Sequence, residues 1–427
     1  MLIDDIKPGS KKSEKLVVAP PPAQTLHVSS ADEAWLHDDA TSVASDISSD
    51  SQTITVDPQA TSTDPPPDPT PKSKKSWTKK KLALVIGSVL VVLGAGGGVA
   101  ALTVFKKDTQ QSVASVTPTP APTAAPTVKP TTEASRLSGV QIAPELNARH
   151  ITGIMIENSP DARPQSGLLD AGVVYEAIAE GGITRFLALF QEGMPNYIGP
   201  VRSLRPYYID WLMPYDATIA HVGGSLDALQ QVKQLGLKDL DQFQNGGSYT
   251  RISERYAPHN VYTSMGSLDQ LAASKNYNSS TFTNWPRKDE SPAAQPTATQ
   301  IDLDISSYLY NVHYEYNPGC NCYLRSEGGK AHIDEKSGKQ LAPKAVIALA
   351  MPYSVVDASD GSRSAYQTVG EGPAYIFQDG TVTEAVWRKP DRKSRFTFLG
   401  PGEKEIAITA GQAWVSMVEA KNMVTYK

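Results

Sequence analysis

Four of the arginines between Ile151 and Thr263, namely Arg163, Arg185, Arg202 and Arg205, stand within the motif blocks of that stretch. A guanidinium is always charged and presents a planar fork of donors suited to carboxylate or phosphate. If the four converge they form an anion site; if each meets an acid among Glu157, Glu176, Glu180 and Asp210, they are structural. Pro200 and Pro206 bracket GPVRSLRP, so neither Arg202 nor Arg205 belongs to a long regular helix. That constraint predicts both at the rim of the largest pocket. The turn HVGGS, from His221 to Ser225, is expected in the same wall. Gly223, Gly224 and Ser225 stand where an apolar run gives way to a helical pattern, and free N–H groups at a helix start attract anions. A tight structural turn is the plain alternative. HVGGS is neither a nucleophile elbow nor a phosphate loop, so Ser225 is not expected to attack a substrate.

His221 and His259 are the histidines placed for proton transfer, the second beside Asn260 in APHN. Glu176 or Glu180 would be the carboxylate partner. The competing reading of each histidine is a satisfied structural residue. No HxH or HExxH spacing exists, so no metal site is expected, and no motif names a cofactor.

The elements that must carry these groups follow from periodicity. ITGIMIEN is a β-branched run stopped by Ser159-Pro160 and reads as a strand. AGVVYEAIAEGG reads as a helix ended by Gly181-Gly182, and ITRFLALFQE as a strand. ATIAHV is a further apolar run, followed by the helix SLDALQQVKQLG with Ser225 as N-cap and Gly236 just past its end. Alternating strands and helices predict an α/β domain over 137–285. A polar linker over 286–299 follows. Then VHYEY, CYLR, AHID, AVIALA, AYIF, TVTEAVW, RFTFL and AWVSMV predict a mainly β domain over 300–427. In it, Arg325 and Asp334 either face the first domain's cleft or make a structural salt bridge.

The first third of the 427 residues is of another kind. Residues 1–81 are rich in Ser, Thr, Asp and Pro and end in a lysine cluster, which predicts a disordered tail. Leu82 to Phe105 carries no charge and, at about 1.5 Å per residue, is long enough for the roughly 30 Å hydrocarbon core. One transmembrane helix is expected over 82–105. The lysines between Lys72 and Lys81 outweigh Lys106 and Lys107, so the tail should be cytoplasmic and the bulk of the chain outside. Gly94 and Gly98 form a GxxxG step that suits a homodimer. The Thr-Pro and Ala-Pro repeats of 106–136 read as an extended linker. A formal net charge of -5 gives no reason to expect a nucleic-acid partner. Cys320 and Cys322 are the only cysteines, either two incidental thiols or one local bridge.

ARPQSGL, EGGITRFLALF, IGPVRSLR, HVGGS and APHNVYT occur in an order and at spacings that resemble the YerB-like family. The likeness continues through YLRSEGGKAHID, TVGEGPAYIFQDGTV, Trp387 and ITAGQAWV, from about Leu137 to Val418. That resemblance implies two consecutive domains and a membrane-anchored extracytoplasmic protein of unknown function. The chain departs from lipoprotein members in lacking a lipobox cysteine and offering an apolar span instead.

Two functions compete. The favoured one is binding of an anionic cell-envelope group in an arginine-rich cleft. The other is an extracytoplasmic hydrolase or transferase working by His/Glu acid-base chemistry, for which no complete nucleophile, base and orienter set is legible.

Overall fold

β-branched and aromatic runs between Gly and Pro turns dominate from Thr152 onward, and they form a mainly β structure. The computed structural model describes residues 131–358 and 361–427. The tail, the apolar span at 82–105 and nearly all of the Pro/Thr-rich linker lie outside the described residues. Among the described residues no helix is long and apolar enough to cross a membrane.

In the first half, strands β1 (Thr152–Glu157), β2 (Val173–Glu180) and β3 (Ile183–Phe190) follow one another, and β4 (Thr218–Ala220) and β5 (Lys238–Asp239) come among helices α1 (Pro206–Leu212), α2 (Leu226–Leu235) and α3 (Met265–Ser274). The second half supplies β6 (Gln300–Leu303), β7 (Val312–Asn317), β8 (Cys322–Glu327), β9 (Lys330–Ala331), β10 (Ala345–Ala350), β11 (Tyr353–Ala358) and β12 (Gly361–Tyr366). It ends with β13 (Gly370–Gln378), β14 (Thr381–Lys389), β15 (Thr397–Leu399), β16 (Ala413–Val418) and β17 (Val424–Tyr426).

A ten-stranded sheet runs through both halves in the order β15-β14-β13-β10-β16-β2-β3-β1-β4-β5. Its junction is the parallel pairing of β16 with β2, which sets Trp414 opposite Val174 and Ser416 opposite Glu176. A five-stranded sheet, β9-β8-β7-β6-β17, packs on one face of the second half. Side chains alternate across the large sheet. Met155, Tyr175, Leu187 and Ile347 enter one apolar cluster with α1 and α2, while Ile154, Val174 and Phe186 enter another against α3. Each fully buried aliphatic or Phe side chain contributes roughly 1.5–3 kcal/mol.

The helix expected over AGVVYEAIAEGG is instead β2. Seven of its eight residues are buried, because both faces of this central strand are covered, so its pattern is continuously apolar rather than alternating. The expected strands at 152–157 and 183–190 are present, as is α2, whose Ser225 side chain accepts from the Ala228 N–H and whose C-cap Gly236 has φ 62°. Within the stretch expected as a polar linker, Arg287–Lys288 pairs in parallel with Ile408–Thr409, and Ala298 is buried. Cys320 and Cys322 are joined by a disulfide.

Candidate functional site

Backbone pairing draws the motif loops onto the end of β1. Ser166 bridges Gly199, Ile156 bridges Val201, Ile198 bridges Thr263, and Leu204 bridges Gly224. The Arg202 N–H donates to the Met155 carbonyl at 2.9 Å, and the Val222 N–H to the Arg202 carbonyl at 3.1 Å. Three X-Pro peptide bonds in these loops, at Pro164, Pro200 and Pro258, are cis. Segments distant in sequence thus share one surface.

Glu157, the last residue of β1, is the centre of that surface. It is buried, and its Oε1 lies 3.0 Å from His259 Nδ1 and 3.3 Å from Arg202 Nε. The Ser159 hydroxyl donates to the same oxygen at 3.1 Å. Burial alone would raise this carboxyl; the His259 hydrogen bond, with Arg202 and Arg185, outweighs it and holds Glu157 below its ordinary value. An ionised carboxylate therefore orients both neighbours. His259 and Arg202 remain partly exposed, and no described residue bonds His259 Nε2 or the terminal nitrogens of Arg202.

Arg185 and Arg205 form a second cluster, both on Glu180. Arg185 also donates to the Ser203 carbonyl at 2.7 Å, and Arg205 to the Leu204 carbonyl at 2.8 Å. Burial would raise Glu180, and the two guanidiniums keep it below its usual value. Arg163 pairs with Glu327 at 3.1 Å and with Asn158, and its guanidinium also reaches the Leu309 carbonyl.

Glu176 is not the carboxylate partner of either histidine. It is fully buried and holds Arg325 at 2.9 Å, while Trp414 Nε1 and the Ser416 hydroxyl donate to its other oxygen at 2.8 and 3.0 Å. Glu180 does not serve the histidines either, since its oxygens face arginines. His221 is fully buried, with Nδ1 2.6 Å from the Gly223 carbonyl and Nε2 3.0 Å from Asp239. Both ring nitrogens are engaged, so neither is open to a substrate proton. Asn260 is a turn residue that accepts from Arg251 and donates to the Ile252 carbonyl.

The HVGGS turn is likewise turned inward. The Gly223 N–H donates to Asp241, the Ser225 N–H to the Leu204 carbonyl, and the Phe243 ring lies 2.7 Å from where a Cβ on Gly223 would stand. Two surface concavities, of about 250 and 300 Å³, lie elsewhere. The first is lined by Asp210, Asp227, Arg363 and Arg392, the second by Arg149, His150 and Asp269. Neither is bordered by Arg202, Arg205 or the glycine turn. Arg202 meets His259 at Glu157, while Arg205 pairs with Glu180 and the glycine turn bonds inward.

The seam between the halves carries residues that the motifs hinted at only in part. Arg325 is fully buried; besides Glu176 it donates to the Tyr314 hydroxyl at 2.8 Å and to His332 Nδ1 at 2.9 Å, and it lies 4.3 Å from the Trp414 ring centre. His332 Nε2 in turn meets Gln165 Oε1 at 2.9 Å, and burial pushes this imidazole well below its ordinary value, so it is neutral. Burial also drives the Glu327 carboxyl up to about 7, against the pull of Arg325. The Asp334 carboxylate accepts from the Gly167 N–H at 2.7 Å. Arg325 and Asp334 are therefore structural. The block SEGGKAHID supplies Glu327, His332 and Asp334 to this seam, although its turns carry no dense acid or histidine cluster in the sequence.

Among the described residues no group of three or more His, Cys, Asp or Glu could hold a metal ion. What the open face offers is a proton-accepting or donating imidazole nitrogen beside two guanidinium donors, both fixed by one carboxylate.

Comparison with known proteins agrees with this arrangement in its extent. Residues 137–278 match the N-terminal domain, and residues 301–415 the C-terminal domain, of a family described as "Protein of unknown function (DUF3048)". The chain is 31% identical over 286 residues to the Bacillus subtilis protein named "Putative lipoprotein YerB", covering 66% of this chain and 85% of that one. It is also similar to the crystal structure of YerB from Bacillus subtilis, with a TM-score of 0.62 and 29% identity over 69% of this chain and 99% of the other. Sequence, two-part domain match and fold together place the protein: the chain belongs to the YerB-like, DUF3048 family.

Proposed function

We propose that the protein binds an anionic group of the cell envelope through Arg202 and His259, on the outer side of the membrane that its apolar span anchors it to. One observation carries this reading. Glu157 ion-pairs with both side chains through their inner nitrogens, and among the described residues the outer ones have no partner, which leaves a pair of donors beside one carboxylate. Arg163, Arg185 and Arg205 lie behind it and lend positive potential, although each is already bonded to an internal acid. The outward location rests on the lysine asymmetry about 82–105. A relative named as a lipoprotein supports a membrane tether.

The test is binding of fluorescent polyglycerol phosphate to the full-length protein in detergent. Saturable binding that Arg202→Ala weakens at least about tenfold is expected, a loss of about 1.4 kcal/mol. No binding, or binding indifferent to Arg202→Ala, overturns the reading. Protease added to intact cells should remove the region after Phe105; its protection would overturn the topology.

The acid-base alternative gains one point from the geometry. A carboxylate on Nδ1 fixes the imidazole with Nε2 outward, as a general base requires, and the carboxylate is Glu157. Turnover of an envelope polymer abolished by His259→Ala would favour it over simple binding.

A further inference from the structure

Two exposed tyrosines stand on loops that arginines tie to the turn following Glu157. Tyr256 is 91% exposed and Tyr308 70% exposed, with Leu309 beside it at 48%. Isolated exposed apolar residues need no explanation. These two differ because their loops are anchored to the same short turn, Pro160–Ala162, and the Arg163-Pro164 that follows it. Arg255, next to Tyr256, donates to the carbonyls of Asp161 and Pro164 at 2.9 and 2.8 Å. On the other side, Arg163 donates to the Leu309 carbonyl at 2.8 Å and lies 5.1 Å from the Tyr310 ring centre.

The Tyr308 ring lies against the EGG turn. Its hydroxyl occupies the space that a Cβ on Gly329 would fill, and the Leu309 carbonyl lies 3.2 Å from the corresponding point on Gly328. Both glycines have positive φ, 56° and 73°, so the EGG turn is shaped to seat the Tyr308-Leu309 pair. A ring that rests against a turn at one end and is 70% exposed offers an apolar face on which a ligand can stack.

We propose, on the footing of the anion-binding reading above, that the ligand is an anionic glycan: a polymer whose sugar rings lie on Tyr256 and Tyr308 while its acidic groups meet Arg202 and His259. A tyrosine face presents apolar surface to the C–H face of a pyranose and leaves the sugar hydroxyls hydrated. The cationic groups beside it, Arg163, Arg202 and Arg255, complement acidic substituents of the same chain. A ring-free polyanion would use the charges and leave both tyrosines idle.

The experiment compares two probes on the full-length protein: polygalacturonate, with sugar rings and carboxylates, and polyglycerol phosphate, with charge and no ring. Tyr308→Ala and Tyr256→Ala are expected to weaken polygalacturonate binding roughly tenfold each and to leave polyglycerol phosphate binding unchanged, while Tyr308→Phe keeps the wild-type affinity. Unchanged melting temperatures show that the variants are folded. If both alanine variants bind polygalacturonate as wild type does while Arg202→Ala loses it, the glycan proposal falls and anion binding stands. If the tyrosine variants lose polygalacturonate while Arg202→Ala keeps both probes, the rings bind sugar and the arginine reading falls. If neither polymer binds the wild-type protein, both fall.

Discussion

His259 Nδ1 lies 3.0 Å from Glu157 Oε1, across 102 residues of chain, and Arg202 Nε approaches the same oxygen at 3.3 Å. A single buried carboxylate thus sets the direction of the two side chains on which the proposed function depends. Its folded-state value is below the ordinary 4.5, so the stability it confers is present above that value and is lost as pH falls through the lower one. Glu157→Gln is therefore expected to destabilise the protein by about 1–3 kcal/mol at neutral pH. The gap from wild type should shrink as the pH of a urea melt is lowered below 4.5; a gap that stays constant would show that the carboxylate charge is not what matters.

The Arg325 and Glu176 pair should behave in the opposite way to a surface ion pair. Both are fully buried, and removing the cation alone strands a charge in the core. Arg325→Met should cost about 3–5 kcal/mol, and adding Glu176→Gln should recover part of it. Additive losses in a double-mutant cycle would deny the coupling.

Glu327 provides a pH signature. Burial raises its carboxyl to about 7, so its contribution is most favourable below its ordinary 4.5 and is lost as pH rises through 7. Glu327→Gln should melt close to wild type at pH 5 and gain relative to it by pH 8. A difference in melting temperature that fails to grow in the variant's favour over that range would exclude an ionisation cost at this position.

Ser225 tests whether the HVGGS turn is structural. Its side chain caps α2, and Ser225→Ala should lower stability by about 1 kcal/mol. Binding of polyglycerol phosphate should be untouched, whereas a loss of binding at full occupancy of the fold would return the turn to the site.

Local signals sufficed for the elements whose cause is local. A serine N-cap, helical spacing and a left-handed glycine delimit α2, and short β-branched runs between turns delimit most strands of the second half. The same reasoning singled out the loops that pair at the end of β1, because Arg, His and Gly in an apolar stretch stand out by type. Pairing is a different matter. Whether VVYEAIAE is a helix or a strand depends on β3 and β16 lying either side of it, and a stretch buried on both faces carries no alternation to announce its period. Likewise Glu176 was available to any of several arginines, and only the parallel junction of β2 with β16, with β8 packed against it, brings it to Arg325, 149 residues away. The residue types were legible in the chain, but which acid meets which cation is decided by strand register, a property of the assembled sheet and of no single segment.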